Sequence, residues 1–99
     1  MKREMTLFEC KVYKATLSIP LGEVRTYAWI ARKIGSPGAF RAVGQALKRN
    51  PYPLIIPCHR VVAAGKRLGG YSGGRRKKKM LLALERELRR IIYFTRNSN

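Results

Sequence analysis

The sequence holds a single histidine, and it directly follows a cysteine in Pro57-Cys58-His59-Arg60. A thiol is a strong nucleophile only as the thiolate, which a neighbouring base or positive charge favours. His59 is the one imidazole available as that base. The chain contains no aspartate, so a carboxylate orienting His59 must be Glu4, Glu9, Glu23, Glu85 or Glu87. The pair sits in a proline-broken turn after the apolar run Leu54-Ile55-Ile56. A turn Cys beside a His is by itself compatible with catalysis and with coincidence.

The elements that must carry this pair are readable from periodicity and caps. Thr6-Leu7-Phe8-Glu9 fits a capping box, and Phe8, Val12, Ala15 and Ile19 recur at helical spacing, which predicts a first helix ended by Pro20 and Gly22. Thr26 is placed to cap a short second helix, Tyr27 to Ile34, closed by Gly35. Ser36-Pro37 reads as the cap and first turn of a third helix, from about Gly38 to Lys48, ended by Asn50-Pro51. Two short helices across a break containing Gly and Pro outline a helix-turn-helix, an outline shared with an ordinary helical hairpin. Composition favours the first. Gly38, Ala39, Ala42, Gly44 and Ala46 leave little bulk on the third helix, while Arg41, Lys48 and Arg49 supply charge. A glycine inside a helix costs about 1 kcal/mol relative to alanine, so retaining two suggests a backbone that must lie close to something such as a narrow groove.

Downstream, Tyr52 to Ile56 is extended between prolines and Arg60 to Ala64 is β-prone. Gly65-Lys66 reads as a turn into a short return strand, which predicts a small hairpin or wing. Gly69-Gly70-Tyr71-Ser72-Gly73-Gly74 lacks the Gly-Lys-Ser/Thr ending of a phosphate loop, but its glycines permit close backbone approach to a ligand. A final helix runs from about Arg75 into the nineties, with Leu81, Leu84, Leu88, Ile91 and Ile92 as its apolar stripe. Five cations, Arg75 to Lys79, crowd its positive end, each unfavourable by about 0.3–1 kcal/mol before screening. Phosphate contacts would compensate them.

Composition sets the frame. The 99 residues suit one mainly α domain, 1–99 with its core at about 8–92, and 45% of them are apolar, enough to fold. A net charge of +17, from 22 cations and five anions, points to a polyanionic partner, nucleic acid first. No apolar run approaches the 18 or so residues of a membrane span, and no charged-then-apolar leader is present. Cys10 and Cys58 are expected as free thiols in a reducing cytoplasm, or a nucleus if the source is eukaryotic. Two cysteines and one histidine without C-x-x-C spacing make a poor zinc site, and neither metal nor cofactor is expected.

Taken together, Gly22-Glu23-Val24-Arg25-Thr26-Tyr27, Arg41-Ala42-Val43-Gly44, Asn50-Pro51, Pro57-Cys58-His59-Arg60-Val61 and Gly70-Tyr71-Ser72-Gly73-Gly74 resemble the O6-alkylguanine-DNA alkyltransferase family in order and spacing, over about Phe8 to Glu85. The resemblance implies a winged helix-turn-helix-like domain that flips a damaged nucleotide from the minor groove, since the alkylated oxygen lies inside the duplex. It implies Cys58 as acceptor thiol, His59 as the base acting through a water, Glu85 as its orienting carboxylate and Asn50 as a brace for the turn. Arg41 matches the arginine that fills the vacated stack, and Tyr27 the residue that helps rotate the nucleotide out. In the pocket, Tyr27 and the Ser72 backbone would hydrogen-bond guanine, and the Cys58 and Val61 carbonyls would accept from its exocyclic amine. Pro53 and Tyr71 would form walls, with Gly73 beside them. Thr26, Ala39, Arg41, Ala42, Gly44, Lys48, Arg49, Arg60, Arg75, Arg76 and Lys77 would contact DNA. The expected partner is double-stranded DNA containing O6-alkylguanine, bound by a monomer that reacts once.

Most members of that family carry a separate N-terminal domain, whereas only a few residues precede the first predicted helix here. Alkyltransferase-like proteins also lack that domain, but they characteristically replace the acceptor cysteine, which this chain keeps. Two function classes follow: a self-inactivating DNA-repair methyltransferase, and a damage sensor that flips the base without reacting and recruits other repair factors. A plain winged-helix regulator would have no use for Cys58, His59 and Glu85 together.

Overall fold

The computed structural model describes residues 4–65, 67–71 and 74–97. Helix α1 spans Leu7–Leu17 and begins as its sequence dictates. Thr6 Oγ1 accepts from Glu9 N at 3.1 Å, and Glu9 Oε1 accepts from Thr6 N at 2.9 Å. Strand β1, Arg25–Thr26, leads into α2, Tyr27–Lys33, whose first turn Thr26 caps by accepting from Trp29 N at 3.0 Å. Helix α3 covers Phe40–Lys48. A 3-10 turn, Cys58–Arg60, precedes β2, Val61–Val62, and α4 runs from Arg75 to Asn97.

Helices α1, α2 and α3 enclose one apolar centre. Val12 and Ile19 meet Ile30 and Ala31, Val43, Ala46 and Leu47 close it, and Val61 joins from β2. Two polar ties fix α1 on α3. The Tyr13 hydroxyl donates to the Ala46 carbonyl at 2.7 Å, and the buried Glu9 carboxylate receives Arg49 Nε at 3.0 Å. Those bonds hold the helix-turn-helix pair on a rigid base, because a buried carboxylate without a partner would cost several kcal/mol.

Four expectations are corrected. The extended residues after the 3-10 turn do not form a wing among the described residues. Val61 and Val62 pair in parallel with Arg25 and Thr26, and Ala63 N donates to Arg67 O at 3.1 Å, while Lys66 lies outside the described residues. A parallel partner 36 residues upstream satisfies the strand's backbone and at the same time anchors α2 to the Cys58 turn. Helix α3 starts two residues later than its sequence suggests. Ala39 takes the cap position without a side-chain bond, and Ser36 contributes its carbonyl to Ala39 N. Gly38 therefore lies before the helix, leaving Gly44 as the glycine within it. Third, α4 turns a different face inward. Lys78, Leu82 and Glu85 are buried, whereas Leu84, Leu88, Ile91 and Ile92 are exposed. Lys78 is the fourth correction: it lies inside the protein and is not one of a row of surface cations.

Candidate active site and nucleic-acid interface

Cys58 and His59 are buried in the 3-10 turn, and two supports hold that turn in place. Asn50, just past the end of α3, donates Nδ2–H to the Ile56 carbonyl at 2.9 Å and accepts from Tyr52 N at 2.9 Å. This clamps the segment that crosses from α3 to the thiol. The second support comes from α4. His59 Nε2 lies 2.7 Å from Glu85 Oε2. A carboxylate can only accept, so Nε2 carries a proton, and in the neutral imidazole the lone pair is then at Nδ1. Nδ1 is buried and has no hydrogen-bond partner among the described residues. His59 is thus oriented at one nitrogen and available as a base at the other.

Glu85 has a second partner. Arg60 Nε reaches Oε1 at 2.9 Å and Nη2 reaches Oε2 at 2.8 Å, a forked pair, while Nη1 donates to the Ile19 carbonyl at 2.9 Å. Burial alone would raise the Glu85 pKa. The hydrogen bonds from Arg60 and then His59 outweigh it and hold the carboxyl below its usual value. Arg60 is among the residues expected to contact DNA. Its guanidinium instead faces inward, largely shielded, and fixes the carboxylate that fixes the histidine.

Beside Cys58 opens a cavity of about 440 Å³ lined by Tyr27, Gly44, Leu47, Lys48, Cys58, Gly70, Tyr71, Gly74 and Arg75. Three glycines and two tyrosine rings give it slot-like walls, and two cations stand among its lining residues. The Tyr27 hydroxyl donates to the Gly70 carbonyl at 3.4 Å. Burial pushes the phenol pKa of Tyr27 up and outweighs the hydrogen bond to Gly70, so it remains a hydrogen-bond donor at neutral pH. Burial and then Cys58 likewise raise that of Tyr71. Gly69 adopts φ +72°, and a Cβ there would fall 2.7 Å from the Tyr27 hydroxyl. Only glycine fits.

The remaining sequence candidates fall into three groups. Arg41, Ala42, Lys48 and Arg49 are exposed along α3, with Ala39 and Gly44 half-buried. A Cβ on Gly44 would just touch the Tyr27 ring, so the small residue keeps the helix close to the pocket. Arg75, Arg76 and Lys77 are exposed at the start of α4. Thr26 and Val61 serve the frame: the first caps α2, and the second is fully buried in β2. Pro53 is exposed, bridged to Ile56, and away from the cavity lining. Ser72 and Gly73 lie outside the described residues.

Sequence reasoning missed the inward roles of Arg60 and Lys78. The signal for Lys78 was its spacing, since residues 78, 82 and 85 follow i, i+4, i+7 and share one helix face.

Among the described residues no group of His, Cys, Asp or Glu is placed to hold a metal ion, and no helix is long and apolar enough to cross a membrane. A helix-turn-helix unit is joined in this chain to a buried cysteine-histidine-glutamate array. The chain belongs to the family described as the 6-O-methylguanine DNA methyltransferase DNA binding domain, which matches residues 7–87. It is 53% identical over 81 residues to the methylated-DNA–protein-cysteine methyltransferase of Mycobacterium tuberculosis, covering 82% of this chain and 49% of that protein. The chain thus spans about half the length of the curated relatives it matches. The fold is similar to M. tuberculosis OGT in complex with DNA, at a TM-score of 0.83 and 51% identity, covering 85% of this chain and 52% of the other. It is also similar to S. pombe Atl1 in complex with damaged DNA containing O6-carboxymethylguanine, at a TM-score of 0.72 and 37% identity, covering 84% and 79%.

Proposed function

We propose that this chain repairs DNA by moving an alkyl group, methyl in the simplest case, from O6 of a flipped guanine onto Cys58. The observation that carries the reading is the array that begins at Cys58 in the cavity lining. Cys58 lines the cavity, His59 Nδ1 is buried without a hydrogen-bond partner among the described residues, and Glu85 lies 2.7 Å from the opposite ring nitrogen.

In this reading Cys58 passes its proton to His59 Nδ1 through a water, and the Glu85 carboxylate stabilises the imidazolium that forms. Sulfur then attacks the alkyl carbon in line. The S–C bond forms as the C–O6 bond breaks, and guanine departs with the electron pair. The Tyr27 phenol supports the charge developing on the base. The glycine walls admit a planar ring, and Arg41 on α3 occupies the stack that the base has left. Lys48, Arg75, Arg76 and Lys77 neutralise phosphates alongside, in keeping with the net charge of +17. The thioether has no good leaving group, so one molecule acts once.

The similarity to Atl1 supports a second reading, in which the pocket holds an alkylated guanine as a mark for other factors. The presence of Cys58 in the cavity favours transfer over that reading. Intact-mass measurement after incubation with one equivalent of O6-methylguanine duplex separates them. A gain of one methyl group on the peptide containing Cys58, with activity ending at one equivalent, is the expected result. Lesion-selective binding with no mass change would remove the transferase reading and leave the sensor.

A further inference from the structure

A second cavity, of about 320 Å³, shares no residue with the one beside Cys58. Lys11, Lys14, Ala15 and Ser18 line it from α1 and its C-cap, and Lys33 and Ile34 line it from the end of α2. No residue of α3 or α4 contributes, so it stands apart from the cations on those helices. Ala15 is buried and Ile34 half-buried, while the three lysines are exposed. None of the three is in an ion pair among the described residues.

Helix dipoles account for part of this. Lys14 and Lys33 lie in the last turns of α1 and α2, where a cation is favoured. The carbonyls there are already met, however: Ala15 and Thr16 accept from Ser18 N and Ile19 N, and Ala31 and Arg32 accept from Ser36 N and Gly35 N. Lys11 is in the second turn of α1, outside the reach of that effect. Three like charges around one hollow repel one another, and an anion between them removes the penalty. Beside them is an aromatic ring. Trp29 is half-buried, with Lys33 Nζ 5.6 Å and the Arg25 guanidinium 5.4 Å from its ring centroid.

We propose that this face of α1 and α2 is a second nucleic-acid site, which takes a single strand of DNA with its phosphates against Lys11, Lys14 and Lys33 and a base against the exposed part of Trp29. Lysine meets a phosphate as a point charge and does not fix its direction, which suits a flexible strand. Stacking on an aromatic needs an unpaired base, so a closed duplex gains only the charge, and an acidic peptide has no base to place there. The site does not depend on Cys58 accepting an alkyl group.

Trp29 is the single tryptophan of the chain, so its fluorescence reports on this face. The protein is saturated with a labelled, undamaged hairpin duplex and then titrated with a short oligothymidylate. Quenching of Trp29 while duplex anisotropy stays at its bound value is the expected result. Lys11→Gln, Lys14→Gln and Lys33→Gln combined, all at exposed positions, should weaken oligothymidylate binding roughly tenfold and flatten its log–log salt slope by about 2, at about 0.7 per phosphate. Duplex affinity should be nearly unchanged. Release of the duplex in step with quenching would overturn the proposal, since both would then compete for one site. An unchanged oligothymidylate affinity in the triple variant would overturn it too. Equal binding of polyglutamate would assign the face to acidic protein segments and likewise sink the strand. No methylated base is used, so failure here leaves the transferase reading untouched.

Discussion

Arg60 and Glu85 form a forked pair, 2.9 Å at Nε–Oε1 and 2.8 Å at Nη2–Oε2, on the carboxylate that also holds His59. The residue next to His59 in sequence thus holds the carboxylate that contacts His59 in space. Arg60→Met should leave Glu85 without the larger of its two hydrogen-bonding partners and raise its pKa. The acid limb of the transfer-rate profile is then expected to move to higher pH. Glu85→Gln should slow transfer by about 10²-fold at neutral pH with duplex affinity nearly unchanged. Single-turnover rates between pH 5 and 8 check both, and an Arg60→Met profile matching the native one would exclude the linkage.

Stability should carry the same signature. A carboxyl whose folded pKa lies below its unfolded value stabilises the protein above the unfolded value, and that contribution is lost as pH falls through the folded one. Glu85 is such a group. Urea unfolding from pH 6 to pH 3 should therefore show a smaller loss of stability in Glu85→Gln than in the native chain.

Arg41 is exposed on α3, apart from the residues that line the cavity. Arg41→Ala should reduce the transfer rate on duplex DNA much more than on a single strand, where little unstacking is required. Equal losses on both substrates would remove the stack-filling role.

Affinity for undamaged duplex should fall with salt at a log–log slope of about −4 to −7, for roughly five to eight neutralised phosphates. Neutralising Arg76, Lys77 and Lys79, all exposed and none of them lining the cavity, should flatten the slope and leave transfer intact once the complex is saturated. Lys78→Met belongs to the other class. It should leave the slope nearly unchanged, because its ammonium is enclosed by the protein.

Gly69 and Gly65 give a paired test of the cavity wall. Both have positive φ, at +72° and +71°, but a Cβ on Gly65 meets open space while one on Gly69 meets the Tyr27 hydroxyl at 2.7 Å. Gly65→Ala should cost about 1 kcal/mol from backbone strain alone. Gly69→Ala should cost more and slow transfer as well, since Tyr27 must shift. Thermal melts and single-turnover rates of the two variants check this.

The parts of the fold governed by neighbours in sequence were legible. The capping box at Thr6 and Glu9, the Thr26 cap and the three-helix order all depend on residues within a few positions of one another. The Cys58 turn drew attention because its residue types are chemically distinctive. What escaped was fixed by distant partners. Val61 and Val62 look like one arm of a hairpin until Arg25 and Thr26 arrive alongside them. Arg60 and Lys78 read as surface cations by type, and only tertiary contacts with Glu85, Gly70 and Val61 turn them inward. Leucines led the reading of α4 to the wrong face, because Lys78 and Glu85 occupy two of the three buried positions.

The far end of α4 has a consequence for hydrogen exchange. Arg89 ties it to the body of the protein, its side chain lying over Gly22 and reaching Glu23 at 3.7 Å. Beyond it Arg90 stacks over Phe94 and Thr95 donates to the Ile91 carbonyl, contacts made within the helix, while Ile91, Ile92, Tyr93 and Phe94 remain exposed. A helical segment that short gains little from its own backbone bonds in water. Amides near Leu82 and Glu85 should open only with the whole fold, whereas those past Arg90 should exchange by local fraying, orders of magnitude sooner. One continuous helix then spans two regimes of stability, with the carboxylate that contacts His59 seated in the slow one.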